Sequence, residues 1–212
     1  MAVLALILTI AWLLIVGGVR GFIQYRRMGQ APLRIRVQSG SWQWWARVVS
    51  VLAVLLALGA PIAELAGVAP FGALDQPAVR ASGIVLVVVG IVGTLGSQLA
   101  MGDSWRGDVD PEARTPLVTS GPFRLVRNPV LTSTAVTALG LALMVPNVLA
   151  LAMVVACVIA WQVQVRKVEE PYLLAVHGDE YRRYAARTGR FVPGIGRLGT
   201  DAGRSDDSGP TS

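Results

Sequence analysis

Long uncharged apolar stretches, separated by short basic ones, run through this chain. Met1 to Val19 holds no charged side chain and is followed by Arg20, Arg26 and Arg27. The basic residues come after the apolar run, which is longer than a secretory leader needs, so the pattern predicts a retained first transmembrane helix. Between Arg20 and Arg47 there are six arginines and no acid, with Trp42, Trp44 and Trp45 just before the next apolar run. Tryptophan at headgroup depth and an arginine excess mark a cytoplasmic loop, which places the N-terminus outside. A second span is expected over Val48 to Val68, with Pro61 and Glu64 near its outer end, and a third over Ala81 to Met101. Glu64 reads as an interfacial carboxylate. In the third span Gly93/Ser97 and Gly96/Ala100 stand four apart, a small-residue groove where another helix can approach closely. Gln98, one turn from the inner end, is either a helix–helix donor or a site residue.

The longest uncharged run extends from Asn128 to Val165, interrupted only by Pro146-Asn147. At ~1.5 Å per residue against a hydrocarbon core of ~30 Å, it suffices for two crossings joined by a tight outer turn. Arg127 at its start and Glu169-Glu170 beyond its end should then emerge on the same side of the membrane. The connection from Gly102 to Arg127 mixes acids and arginines with Trp, Pro and Phe, a composition too apolar for simple disorder, and is expected to fold against that face. Beyond Glu170, Leu173, His177, Tyr181 and Tyr184 recur at helical spacing, predicting an amphipathic helix over Pro171 to Arg187. From Gly199 onward a disordered tail is expected. The predicted fold is therefore all-α and polytopic. Residues 1–101 carry three transmembrane helices, residues 102–198 the inner loop, hairpin and amphipathic segment, and residues 199–212 the tail. The predicted orientation in a bacterial-type plasma membrane has the C-terminus cytoplasmic.

Composition agrees with this reading: 53% hydrophobic and 15% charged residues, with a mean hydropathy of +0.56, exceed the ~45–50% apolar usage of soluble domains. The net charge of +6 suits the anionic inner leaflet better than nucleic acid. One cysteine, Cys157, inside an apolar run, and one histidine, His177, point away from a disulfide framework and a metal site.

No P-loop, Gly-rich strand–helix turn or Ser-His-Asp set is present. What remains is a polar cluster at one membrane face: Arg106, Arg124, Arg127, Asn128, Glu169, Glu170, His177, Tyr181 and Tyr184. Adjacent carboxylates suit a cationic or hydroxyl-rich ligand, and Arg127 offers a fork for a carboxylate. Alternatively, Arg166 and Glu170 form an ordinary i,i+4 pair and Arg127 snorkels to lipid phosphate.

The order Gly121-Pro-Phe-Arg-Leu-Val-Arg-Asn-Pro129, an apolar hairpin, Glu169-Glu-Pro-Tyr-Leu-Leu174, His177-Gly-Asp-Glu-Tyr-Arg-Arg-Tyr184 and Phe191-Val-Pro193 resembles the isoprenylcysteine carboxyl methyltransferase and phospholipid methyltransferase superfamily. Gly102-Asp-Ser-Trp-Arg106 resembles the element preceding it there. The resemblance spans Gln98 to Pro193. It implies an integral-membrane methyltransferase that moves a methyl group from S-adenosylmethionine to a lipid-like acceptor, such as an isoprenoid carboxylate, a lipid amine or a hydrophobic phenol. Arg127, Pro129, Glu169, Glu170, Gly178, Tyr181 and Tyr184 match the family pattern. Asn128 stands in place of a histidine, Phe123 of a tyrosine and His177 of a phenylalanine. By the resemblance, Arg127 and Glu170 are candidate catalytic residues. Asn128, Pro129, Glu169, Glu170, His177, Tyr181 and Tyr184 are candidate cofactor contacts. A non-catalytic membrane scaffold or lipid-binding relative, and a polytopic lipid reductase, remain as other readings of the same spans.

Overall fold

The computed structural model describes residues 1–19, 21, 22, 26, 37–102 and 116–199 of the chain. Among these the architecture is helical, with only isolated bridges and no strand. Helix α1 (Ala2–Trp12) runs on as a π-helical segment, Leu13–Val19. It is followed by α2 (Trp42–Leu65), α3 (Pro77–Met101), a 3-10 turn (Gly121–Arg124), α4 (Pro129–Met144) and α5 (Val148–Gln164). A π turn, Val165–Glu169, then leads into α6 (Glu170–Arg187).

Among the described residues, three helical stretches are long and apolar enough to cross a membrane: α2, α3 and the continuous run from Val148 to Arg187. The other two apolar helices are shorter, Ala2–Gly18 and Pro129–Met144. At 16 residues, α4 reaches ~24 Å, less than the ~30 Å hydrocarbon thickness. The helices turn large apolar side chains outward, with Leu55, Val92 and Leu151 more than half exposed, while small residues such as Ala53, Ala60, Thr94 and Ala160 face inward. That inside-out distribution is expected where the surrounding solvent is hydrocarbon.

Local chemistry sets the helix ends. Ser41 Oγ accepts from the Trp44 amide, so α2 starts at Trp42 and not at the expected Val48. The tryptophans are its first turn rather than a loop. Pro77 at the first turn of α3 and Pro129 at that of α4 need no amide partner. Asn147, fully buried, makes the tight turn between α4 and α5. Its Oδ1 accepts from the Leu149 and Ala150 amides at 3.1 Å, and its Nδ2 donates to the Ala60 carbonyl of α2 at 2.8 Å. At the same end Arg80 reaches Glu64 at 2.7 Å, Asp75 at 2.8 Å and the Met144 carbonyl at 3.0 Å. Glu64 is therefore the acid that ties α2 to α3.

The small-residue groove of α3 is real but lies partly elsewhere than expected. A Cβ on Gly83 would come within 2.6 Å of the Gly140 carbonyl, and one on Gly140 within 2.7 Å of the Val87 amide. Gly90 and Gly93 are similarly filled by Thr137 and Ser133 of α4, whereas Gly96 faces open space. The groove thus follows Gly83, Gly90 and Gly93, because α4 lies on that face. Helix α2 packs mainly on α5, and a tightly buried cluster of Ala5, Ala60, Val87, Leu141, Met144 and Ala150 fills the end near Asn147.

The opposite end is open. Helix α6 is not the single amphipathic helix expected over Pro171 to Arg187: Gly178, at φ 50 and ψ −122, breaks it into two pieces. Only glycine adopts that backbone without strain. The expected tail beyond Gly199 and the segment Asp103 to Arg106 lie outside the described residues.

Candidate active site

The open end holds a cavity of about 440 Å³. Its walls come from α2 (Gln43, Arg47, Ser50), the inner end of α3 (Gln98), residues 116–118, the 123–131 segment, the inner end of α5 and α6. The part of the long inner connection that is described, Pro116 to Val118, does fold against it. All four residues of the predicted α6 face, Leu173, His177, Tyr181 and Tyr184, line the cavity on both sides of the Gly178 break. So do Arg127, Asn128, Pro129, Glu169 and Glu170. Arg124 is exposed and absent from the walls, and Arg106 lies outside the described residues.

Glu170 is the centre of the polar wall. Arg190 donates to it through both Nε (2.7 Å to Oε1) and Nη2 (2.9 Å to Oε2), and Arg127 Nη2 stands 2.9 Å from Oε1. The same Arg127 Nη2 donates to the Gly196 carbonyl at 2.7 Å. Burial is nearly complete, with side-chain exposures of 1% for Arg127 and 9% for Glu170. Arg127 therefore does not snorkel to headgroups, and Glu170 pairs with guanidiniums far away in sequence instead of with Arg166.

The side-on fork of Arg127 is already committed through Nη2, which donates to the Gly196 carbonyl and is ion-paired with Glu170. Its Nε and Nη1 are buried and have no hydrogen-bond partner among the described residues. Such orphan charged donors are costly unless something completes them. The Tyr181 ring lies under the guanidinium, 5.9 Å from centroid to Cζ.

A returning strap holds this arrangement. After α6, Gly189 and Arg190 pass beside Val126 to Asn128: the Arg127 amide donates to the Gly189 carbonyl at 2.8 Å, and the Asn128 amide and Nδ2 both donate to the Arg190 carbonyl, at 3.1 and 3.2 Å. Thr132 Oγ1 donates to the Phe191 carbonyl at 2.8 Å. A Cβ on Gly189 would run into the Gly194 amide and the Ile195 carbonyl, so the turn closes only around glycine. The Asn128 side chain thus serves the strap and does not cap α4. Glu169, half-buried one residue before Glu170, accepts from Gln164 Nε2 at 3.2 Å.

The Tyr184 hydroxyl donates to the Phe123 carbonyl at 2.6 Å, joining α6 to the 3-10 turn. Burial pushes its pKa up to about 12 and raises that of Tyr181 further. A raised phenol pKa stabilises the fold fully below the ordinary value, ~10, and that contribution is lost as pH rises through the folded value. Thermal unfolding should therefore show stability falling between about pH 10 and about pH 12, and Tyr184→Phe should lose less over that window while costing ~1 kcal/mol at neutral pH. An unchanged alkaline profile in the variant would remove Tyr184 as the cause.

Sequence reasoning missed Arg190, whose guanidinium is held charged first by its hydrogen bonds to Glu170. The only signal was its place in Gly189-Arg-Phe-Val-Pro193, directly before the terminal family motif. Gln43, Arg47 and Ser50 on α2 were also missed as cavity walls. The site as a whole joins two unsatisfied guanidinium donors, a neighbouring carboxylate and aromatic walls at the open end of a helical bundle. Comparison with known proteins adds two findings. No curated protein is significantly matched by the chain. The family model described as phospholipid methyltransferase matches residues 78–180. That stretch carries α3, the hairpin, Arg127 and the Glu169-Glu170 pair, and in it the chain is similar to the phospholipid methyltransferases, a family of the isoprenylcysteine and phospholipid methyltransferase superfamily.

Proposed function

We propose that the protein is an S-adenosylmethionine-dependent methyltransferase of the isoprenylcysteine carboxyl methyltransferase kind, acting on a lipophilic acceptor in the bilayer. The observation that carries this is the cavity itself. Its volume, about 440 Å³, lies within the ~300–1,000 Å³ of small-molecule sites, and it is lined by Arg127, whose buried Nε and Nη1 lack partners. A carboxylate such as that of the donor's methionine end would pair with one of them. Glu169, on the same wall, suits the donor's ammonium or ribose hydroxyls, and His177 and the tyrosines complete the enclosure.

The donor supplies a methyl group already activated on a sulfonium. The residues of this chain then need only to align and dehydrate the reactants. Arg127 is fixed by Glu170 and Gly196, so its remaining donors are held in set directions. Tyr181, Tyr184, Leu173 and Leu117 pack together and exclude water. Glu170, with both oxygens taken by guanidiniums, clamps Arg127. An amine or phenol acceptor would need its proton removed, and Glu169 is the carboxylate placed for that. Pro129 and Asn128 set the backbone that carries Arg127.

The test is binding of S-adenosylhomocysteine to purified protein by calorimetry. Losing one charge-assisted contact worth ~1.5–3 kcal/mol, Glu169→Gln should bind roughly ten- to a hundredfold more weakly. Unchanged affinity would return Glu169 to a surface role.

The five-span topology, with N-terminus outside and cytoplasmic C-terminus, is part of the same reading and rests on the arginine distribution. Asp75 and Arg182 are exposed. In a Cys157→Ser background, cysteine at 75 should react with an impermeant thiol reagent in intact cells, and cysteine at 182 only after lysis. The reverse pattern would invert the topology.

A further inference from the structure

The strap that returns beside Arg127 carries apolar side chains that the rest of the fold leaves uncovered. Gly194 and Gly196, at φ 79 and 73, fold its tip back on itself, and Val192 and Ile195 stand opposite each other in a short antiparallel bridge. Both are half or more exposed, and so is Leu125, one residue before the Val126 that bridges to Gly189. A single exposed apolar residue is ordinary. Three on the two segments that clamp Arg127 call for a cause. The charges around them have one sign, since residues 116–128 and 189–199 contain Arg124, Arg127, Arg190 and Arg197 and no acid. Arg127 and Arg190 are tied to Glu170, whereas Arg124 and Arg197 are exposed. Hydrogen bonding fixes the depth of the tip. Thr132 Oγ1 donates to the Phe191 carbonyl, and Thr132 stands about 4.5 Å past the Pro129 start of α4. The residue next to the exposed tip is thus held level with the first turn of the hairpin, within its uncharged run.

We infer that Val192, Ile195 and Leu125 are seated in the adjoining leaflet, at the boundary of headgroups and acyl chains, with Arg124 and Arg197 on anionic headgroups, and that this contact holds the strap closed on Arg127. Apolar side chains flanked by arginines are the combination that binds such a surface, the first by burial and the second by charge. A second copy of the chain is a poorer occupant, because it would bring the same arginines against each other, whereas an anionic lipid surface complements them. The consequence for the site follows from the strap's own bonds. The Gly189 and Gly196 carbonyls that hold Arg127 lie on either side of the tip, so whatever fixes the tip steadies Arg127 as well. The inference rests on the reading of α4 as a membrane helix and is independent of the methyl donor.

The test uses full-length protein in nanodiscs of phosphatidylcholine with phosphatidylglycerol. In a Cys157→Ser background, nitroxide labels are placed singly by Ile195→Cys, by Leu139→Cys on the outward side of α4 and by Arg182→Cys on α6, all three positions being exposed. Oxygen, which concentrates in lipid, should relax the labels at 195 and 139 more than a water-soluble nickel chelate does, and the order should reverse at 182. With 139 in lipid, a label at 195 that meets the nickel chelate, or one shielded from both reagents as between two protein copies, overturns the inference and leaves the hairpin standing. A label at 139 that meets the chelate overturns both. In the protein without labels, the Arg190, Ile195 and Leu198 amides close the strap. Their hydrogen exchange should be about tenfold slower with phosphatidylglycerol present than in phosphatidylcholine alone, and Arg124→Gln combined with Arg197→Gln should abolish the difference. Equal exchange in the two lipids, or a difference that persists in the double variant, would also overturn it.

Discussion

Arg127→Lys should bind S-adenosylhomocysteine about a hundredfold more weakly than wild type, although it keeps the charge. In wild type one guanidinium nitrogen, Nη2, holds Glu170 and the Gly196 carbonyl, while Nε and Nη1 remain to be completed. A lysine ammonium concentrates its donors on one atom, so it can keep the partners of Nη2 or serve a ligand, but it cannot cover positions spread across a plane. Losing one or two charge-assisted hydrogen bonds at ~1.5–3 kcal/mol each accounts for the size of the effect. The expected geometry differs from a simple two-pronged grip on a carboxylate, because the side-on fork is occupied by the protein itself. If Arg127 served only to balance Glu170, lysine would bind nearly as well as arginine.

Glu170→Ala should be the most destabilising single change at the site. It leaves Arg127, at 1% exposure, and Arg190, at 13%, without their shared carboxylate. Breaking a buried ion pair in this way costs about 3–5 kcal/mol, a large share of a typical net stability of ~5–15 kcal/mol. The loss should first appear locally, as release of the strap from Gly189 to Leu198, because Glu170 bonds Arg190 directly and holds Arg127, which anchors Gly189 and Gly196. Hydrogen exchange over residues 189–198 should accelerate before the helices loosen. Uniform protection across that segment in the variant would mean that backbone bonding alone holds the strap. Glu170→Gln, which keeps the shape and can accept one guanidinium bond, should fall between the two.

How much of this was written in the sequence follows from the range of each interaction. The apolar runs, the Pro146-Asn147 turn and the Leu173, His177, Tyr181, Tyr184 face are local patterns; the turn and the face appear where the pattern put them, while the helices of the second and third runs begin earlier, at Trp42 and Pro77. What periodicity misses is where the chain comes back to itself. Arg190 looked like one more basic residue near a terminus, and its meeting with Glu170 depends on the fold-back around Gly189. The π-helical stretches Leu13–Val19 and Val165–Glu169 shift helical register without a composition signal of their own. Gly178 was noted as a family match, yet its break of α6 is a backbone choice that amphipathic spacing conceals. Among the α3 glycines, spacing alone favoured Gly93 and Gly96, whereas the face α4 occupies selects Gly83, Gly90 and Gly93. The Asn128 side chain, considered in place of a family histidine as a ligand contact, holds the strap by its bond to the Arg190 carbonyl.

The most direct check of the whole scheme is a calorimetric titration of purified full-length protein with S-adenosylhomocysteine, run beside Arg127→Ala shown to be folded. One saturable site in wild type, with binding lost in the variant, is the expected result. A folded wild-type protein that shows no saturable binding, or an Arg127→Ala variant that binds as well as wild type, would contradict it.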